Sequence, residues 1–305
     1  MNEEERKNLF DMFDDLAKRE GSQSKACQKI GINAAIISTL KNGSYRGDSE
    51  KQYKILADYF KLKEEAKKSF KNDAYVPTSI SEGVYSYIRN AQLKGGLIAL
   101  AGSAGIGKTR AIRKYKDDNE MSMIFITSNP CLNTVKSVLK RLCKELNISG
   151  VRSNYEMYDS ITEKLRDGMV IVFDEAQHLS LKAIETLRGF SDYFADKNQT
   201  LGIVFIGNET TMDRFGGKED AVFAQIANRT IQKPIFKTTD ITIDDIRKLY
   251  PQLEKSSMQE EFMLSVARSK EALRGANNLF TNAFDNEDIS YEGLVKMAKH
   301  MKLMI

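Results

Sequence analysis

The stretch AGSAGIGKTRAIRKY (101–115) decides how the rest of the chain is read. Its core runs Gly102, Ser103, Ala104, Gly105, Ile106, Gly107, Lys108, Thr109, fits G-x-x-x-x-G-K-[ST], and directly follows the apolar run LIALA (97–101). Glycines at these places let backbone N–H groups converge on phosphate oxygens. Lys108 is placed to neutralise the outer phosphates, and the Thr109 hydroxyl to ligate magnesium. A helix opening here, with Arg110 in its first turn, aims the positive end of its dipole at the anion. The stretch therefore predicts a nucleotide site with ATP and Mg2+ as cofactors.

Outward from the loop, short apolar runs recur between helical segments: MIFIT (123–127), MVIVF (169–173) and GIVFI (202–206). Runs of this length with little polar alternation predict strands of a parallel sheet buried on both faces. The fold class expected is α/β, with helices on both sides of the sheet. TIQKPIF (230–236) reads as a further strand that Pro234 confines to an edge. Asp174 and Glu175 end the MVIVF strand. The aspartate is suited to hold magnesium and the glutamate to polarise an attacking water, while a cap of the next helix is the plain structural alternative. Asn208, after GIVFI, is placed to orient that water. These strand ends meet at one edge of the sheet, where α/β proteins bind ligands.

A chain of 305 residues predicts two or three domains. The net charge of +4 sets up no long-range basic field, so any nucleic-acid contact must come from a local face. Cys27, Cys131 and Cys143 lack CxxC spacing and read as free thiols of a reducing cytosol. His178 and His300 lack metal-ligand spacing. No apolar run reaches the roughly 20 residues of a membrane helix, and the N-terminus lacks a signal-peptide core. A cytoplasmic protein without a membrane partner is expected.

Residues 1–72 read as a helical domain, with Leu9, Phe13 and Leu16 on one stripe and Tyr53, Leu56 and Phe60 on another. Residues 73–80, around Pro77, read as a linker. Within SQSKACQKIGINAAIISTLKNGSYRG (22–47), helices over Gln23–Lys29 and Asn33–Leu40 flank a turn at Gly31. Ala26, Ile30, Ile32, Ile37 and Leu40 would pack them, as in a helix-turn-helix. The second helix would then expose Asn33, Ala34, Ser38 and Lys41 to DNA, and Lys41, Tyr45 and Arg46 would touch phosphates. A helical adaptor with the same packing is the alternative. Residues 1–75 hold 15 Lys/Arg against 13 Asp/Glu, so attraction would rest on a local face. This region resembles the lambda-repressor-like DNA-binding domains. Lys136, Lys140 and Lys144 share one face of a helix in NTVKSVLKRLCKELN (133–147), either a DNA-facing stripe or a solvated surface.

The order of phosphate loop, Asp-Glu strand end and strand-ending asparagine resembles the AAA+ ATPases. That resemblance implies a core over 81–240 and a helical lid over 241–305, whose segment SKEALRGANNLF places Arg274 as a sensor on the γ-phosphate. In EEFMLSVARSK, Phe262, Leu264, Val266 and Ala267 read as the lid's apolar face. The family also supplies an arginine finger from a neighbouring subunit. Many relatives carry it where this chain has Gln225, leaving Arg229 or Arg214 as substitutes. With the N-terminal domain in front, the chain resembles the target-DNA-selecting transposition ATPases of the phage Mu B type. The likeness implies an ATP-dependent protein of the bacterial host cytoplasm that binds double-stranded DNA with little sequence preference. It also implies self-association into a homo-oligomer or helical filament and recruitment of a transposase. A helicase loader and a STAND-like, ATP-switched transcription regulator remain as other readings of the same motifs.

Overall fold

The computed structural model describes residues 1–68, 74–214, 230–254 and 258–303, with side chains of 65–68 and 212–214 excepted. The chain divides into two units, Met1–Lys71 and Asn72–Ile305.

The first unit has four helices: α1 (Glu3–Glu20), α2 (Gln23–Ile30), α3 (Ala34–Lys41) and α4 (Ser49–Lys68). Each of the first three starts where a side chain satisfies an orphan N–H. Asn2 forms a capping box with Glu5, Ser22 accepts from Lys25, and Asn33 accepts from Ala35. Phe13, Ala26, Ile37 and Leu56 are the centre of the core. The buried stripe of α1 is Leu9, Phe13 and Ala17, so the expected Leu16 sits only at its edge. Tyr53, Leu56 and Phe60 of α4 are buried.

The second unit is built on a parallel sheet ordered β2-β3-β4-β1-β5, with β6 also on β1. The strands are β1 (Gly96–Gly102), β2 (Met123–Thr127), β3 (Met169–Asp174), β4 (Leu201–Gly207), β5 (Thr230–Gln232) and β6 (Ile235–Phe236). Leu97, Ala99, Ile171, Phe173, Ile203 and Phe205 face a core covered by α7 (Val135–Glu145), α8 (Asn154–Lys164) and α9 (Leu181–Asp196). The alternate residues Ile98, Leu100, Val170, Val172, Val204 and Ile206 are equally buried, as a sheet covered on both faces demands. On that second face lie α5 (Ser79–Lys94) and α6 (Lys108–Asp118). Pro234 has no N–H for the ladder and divides the edge into two short strands, while its carbonyl accepts from Ala101.

The expected linker, 73–80, ends inside α5: Thr78 caps that helix through a capping box with Ser81. Among the described residues four α-helices follow the sheet: α10 (Ile243–Leu249), α11 (Met258–Arg268), α12 (Ala272–Asp285) and α13 (Tyr291–His300). The buried face of α11 is Met263, Val266 and Ala267, at i, i+3 and i+4. Val266 and Ala267 are buried as expected, whereas Phe262 and Leu264 are half-buried on either side of Met263. Cys27 and Cys143 are buried and Cys131 exposed, all three as free thiols, and burial pushes the pKa of the two buried ones up. Among the described residues no helix is long and apolar enough to cross a membrane.

Candidate nucleotide site

A cavity of about 390 Å³ opens where the phosphate loop meets the lid helices. Six of the nine expected loop positions line it: Ala104, Gly105, Gly107, Lys108, Thr109 and Arg110. Gly102, Ser103 and Ile106 stand behind them. Ile106 is fully buried, and the carbonyls of Gly102 and Ser103 accept from Lys108 Nζ at 2.7 and 2.8 Å. Arg110 donates to the carbonyl of Ala74 at 2.5 Å, tying the loop to the extended segment before α5.

The acidic pair lies beside the loop. Asp174 is 2% exposed and accepts the Thr109 hydroxyl at 2.6 Å. Glu175 is exposed and lines the cavity, with φ of 54° and ψ of 40°. A left-handed backbone is uncommon for glutamate, and such strain gathers at functional sites. Burial pushes the Lys108 pKa down, against the pull of Asp174 and Glu175. Burial likewise pushes the Asp174 carboxyl up, with the Thr109 hydrogen bond opposing. Among the described residues neither group makes a direct ion pair, although each feels the other's charge.

The lid closes on the loop through backbone. Arg274 N donates to the carbonyl of Gly105 at 3.1 Å, and Arg274 lines the cavity. Gly105 has φ of +77°, and a Cβ there would lie 3.1 Å from Arg274 Cβ and 3.3 Å from Ala272 Cβ. The glycine thus serves the lid's approach as well as the loop. Asn208 is exposed beyond β4, its Oδ1 accepting from Thr210 at 2.6 Å, and it does not line the cavity. Arg229 and Gln225 lie outside the described residues, and the side chain of Arg214 is not described.

Sequence reasoning missed the other wall. Tyr75, Val76, Thr78 and Ser81 line the cavity together with Leu249, Tyr250, Leu273 and Asn277. Tyr250 is 1% exposed, and burial pushes its phenol pKa up. Asp245, also 1% exposed, accepts from Ser79 N at 2.7 Å and Thr242 N at 2.9 Å, fastening α10 to the start of α5. Only Asn277 carried a signal, three residues after Arg274 and hence on the same helical face.

The residues expected to meet DNA fare unevenly. Asn33, Ser38 and Arg46 are exposed, although the Asn33 Oδ1 is engaged in capping α3. Lys41 is half-buried: its ammonium pairs with Asp14 at 2.5 Å and lies 5.5 Å from the Phe13 ring centroid, so it ties α3 to α1. Tyr45 is half-buried against the same core. Lys136, Lys140 and Lys144 are exposed on α7, whereas Arg141 beside them pairs with Glu145.

Residues 92–215 match the family model described as an AAA domain. The chain is 27% identical over 206 residues to the Mu-like prophage FluMu DNA transposition protein B of Haemophilus influenzae, covering 66% of this chain and 69% of that protein. It is 24% identical over 253 residues to the ATP-dependent target DNA activator B of Escherichia phage Mu, covering 81% and 78%. Among solved structures, the Aeropyrum pernix ORC2 protein in its ADPNP–ADP complexes aligns with a TM-score of 0.52 at 12% identity. That match covers 75% of this chain and 71% of ORC2, and is a likeness of fold. The chain thus carries an ATPase domain similar to the AAA domains over residues 92–215, and it is similar in sequence to the Mu-type transposition proteins B.

Proposed function

We propose that this chain uses ATP to assemble along duplex DNA in the bacterial cytoplasm, marking it as a target for a transposase. The observation that carries the nucleotide half is Lys108, half-buried against its own loop carbonyls with no carboxylate in direct contact among the described residues. A triphosphate supplies that missing charge. Loop N–H groups and the Lys108 ammonium hold the phosphates, and Arg274 reaches them from the lid. The apolar wall of Val76, Leu249 and Leu273 receives the base.

Magnesium fits the residues present. Thr109 Oγ1 and the buried Asp174 carboxylate offer two hard oxygens side by side. No group of three or more His, Cys, Asp or Glu among the described residues could hold a metal elsewhere. Magnesium, bound there, neutralises charge on the phosphates. Glu175 takes the proton of the attacking water, and Asn208 turns that water once the Thr210 contact gives way. A finger arginine, Arg229 or Arg214, would complete the site of a neighbouring copy and make turnover depend on self-association.

The DNA half is supported by the names of the relatives and by two surfaces. The α7 lysines are exposed with no ion pair among the described residues. On α3 the exposed side chains are Ala34, Ala35 and Ser38, which lack the forked groups that read base edges. Both favour backbone contact over sequence readout. Footprinting on a long mixed-sequence duplex tests this. Continuous protection that requires ATP, and is lost in Lys108→Ala, supports the proposal. One short protected site, indifferent to nucleotide, would contradict it and favour a transcription regulator.

A further inference from the structure

Three groups of the site are satisfied inside the protein: Lys108 by the carbonyls of Gly102 and Ser103, Thr109 by Asp174, and Glu175 by Gln177. Phosphate and magnesium would displace the first two partners by direct contact. Glu175 has no such rival, because its target is a neutral water. Its carboxylate Oε2 accepts from Gln177 Nε2 at 2.5 Å, across a three-residue turn. That turn, Ala176–His178, closes onto Glu175 through His178 N donating to the Glu175 carbonyl. The hydrogen bond therefore holds the side chain along the turn, while the strained backbone of Glu175 fixes where that turn starts.

The other end of the Gln177 amide is in an unusual place. Its Oε1 is buried without a hydrogen-bond partner, and so is the hydroxyl of Thr211, a residue that is 0% exposed. Both crowd the end of β4. A Cβ on Gly207 would lie 2.4 Å from Gln177 Oε1 and 2.1 Å from Thr211 Oγ1, so glycine alone admits them. An unmatched buried carbonyl costs free energy that a small shift of the 3₁₀ turn at 209–214 would recover by bringing the Thr211 hydroxyl onto it. The Glu175 clamp is thus joined to the turn that follows Asn208.

Resting on the assignment of Glu175 as the water-activating base, we infer that Gln177 is a positioning residue that withholds Glu175 from the water and so sets a low resting rate of hydrolysis. Gln177 touches no reacting atom in this role.

The test is steady-state hydrolysis by the full-length protein at saturating Mg-ATP without DNA. Gln177→Ala and the isosteric Gln177→Glu both remove the donor, the second also repelling Glu175. Each is expected to raise kcat by about three- to ten-fold, the scale of one charge-assisted hydrogen bond at an exposed site, with KM for ATP within about two-fold of wild type. The double variant Glu175→Gln with Gln177→Ala is expected to be inactive, showing that the added turnover runs through Glu175. A kcat that falls or stays level in both Gln177 variants, with fluorescent-nucleotide binding intact, overturns the gate. Undiminished turnover in Glu175→Gln alone would instead remove the assignment on which the gate rests.

Discussion

The N-terminal unit and the nucleotide site treat charge in opposite ways. In the N-terminal unit several cations find acids of the same unit: Arg6 with Glu50, Lys29 with Glu20, Lys41 with Asp14, all with exposed or half-buried side chains. At the nucleotide site Lys108 is half-buried and Asp174 buried, both are displaced in pKa by desolvation, and neither makes an ion pair among the described residues. Surface pairs add little stability and ask for nothing further. Buried lone charges cost stability and are retained where an outside ligand completes them. The contrast separates a scaffold from a site without reference to any motif.

The largest effect expected is on the site side. Glu175→Gln lowers kcat by about 10²- to 10⁴-fold while fluorescent-nucleotide affinity is kept, as loss of a general base requires. In the scaffold, Phe13→Ala removes a fully buried ring and destabilises the N-terminal unit by about 3–5 kcal/mol. Differential scanning calorimetry should show one transition moving down, with ATP affinity unchanged. If nucleotide affinity falls with it, the division of labour between the units fails.

Smaller effects sharpen the comparison. Gly105→Ala forces a Cβ into a left-handed backbone and against Arg274, a cost of about 1–2 kcal/mol. The expected readout is an ATP KM raised by about 5- to 30-fold, with little change in the rest of the fold. Asp174→Asn should abolish hydrolysis yet stabilise the ATP-free protein by about 1 kcal/mol, or about 2–4 °C in Tm. Burial raises the native pKa of Asp174 above its ordinary value of 3.8. The native state therefore binds that proton more tightly than the unfolded chain. The carboxylate costs stability above the raised value, and the cost fades as pH falls towards 3.8. The gain from Asn should fade in the same window, and a gain independent of pH would assign it to packing.

Legibility followed locality. Unbroken apolar runs gave β2 its bounds, because a strand covered on both faces tolerates no polar alternation. The loop and the Asp174–Glu175 pair were legible because phosphate chemistry dictates residue types at fixed spacing. The opposite wall was not, since Tyr75, Val76, Leu249 and Tyr250 are ordinary apolar residues brought together only when the lid folds back. The pair of Lys41 with Asp14 was not legible either, because 27 residues separate the two in sequence. On α11, Val266 and Ala267 were legible but Met263 was not, because Phe262 and Leu264 beside it are as apolar as the Met263 that is buried.

The central claim is that nucleotide held between loop and lid drives assembly on DNA, and electron microscopy of the protein with linear duplex tests it most directly. With a slowly hydrolysed ATP analogue, continuous coats along molecules of any sequence are expected, absent without nucleotide and absent for Lys108→Ala. Bare DNA under every nucleotide condition, or coats that form equally well without any, would contradict it.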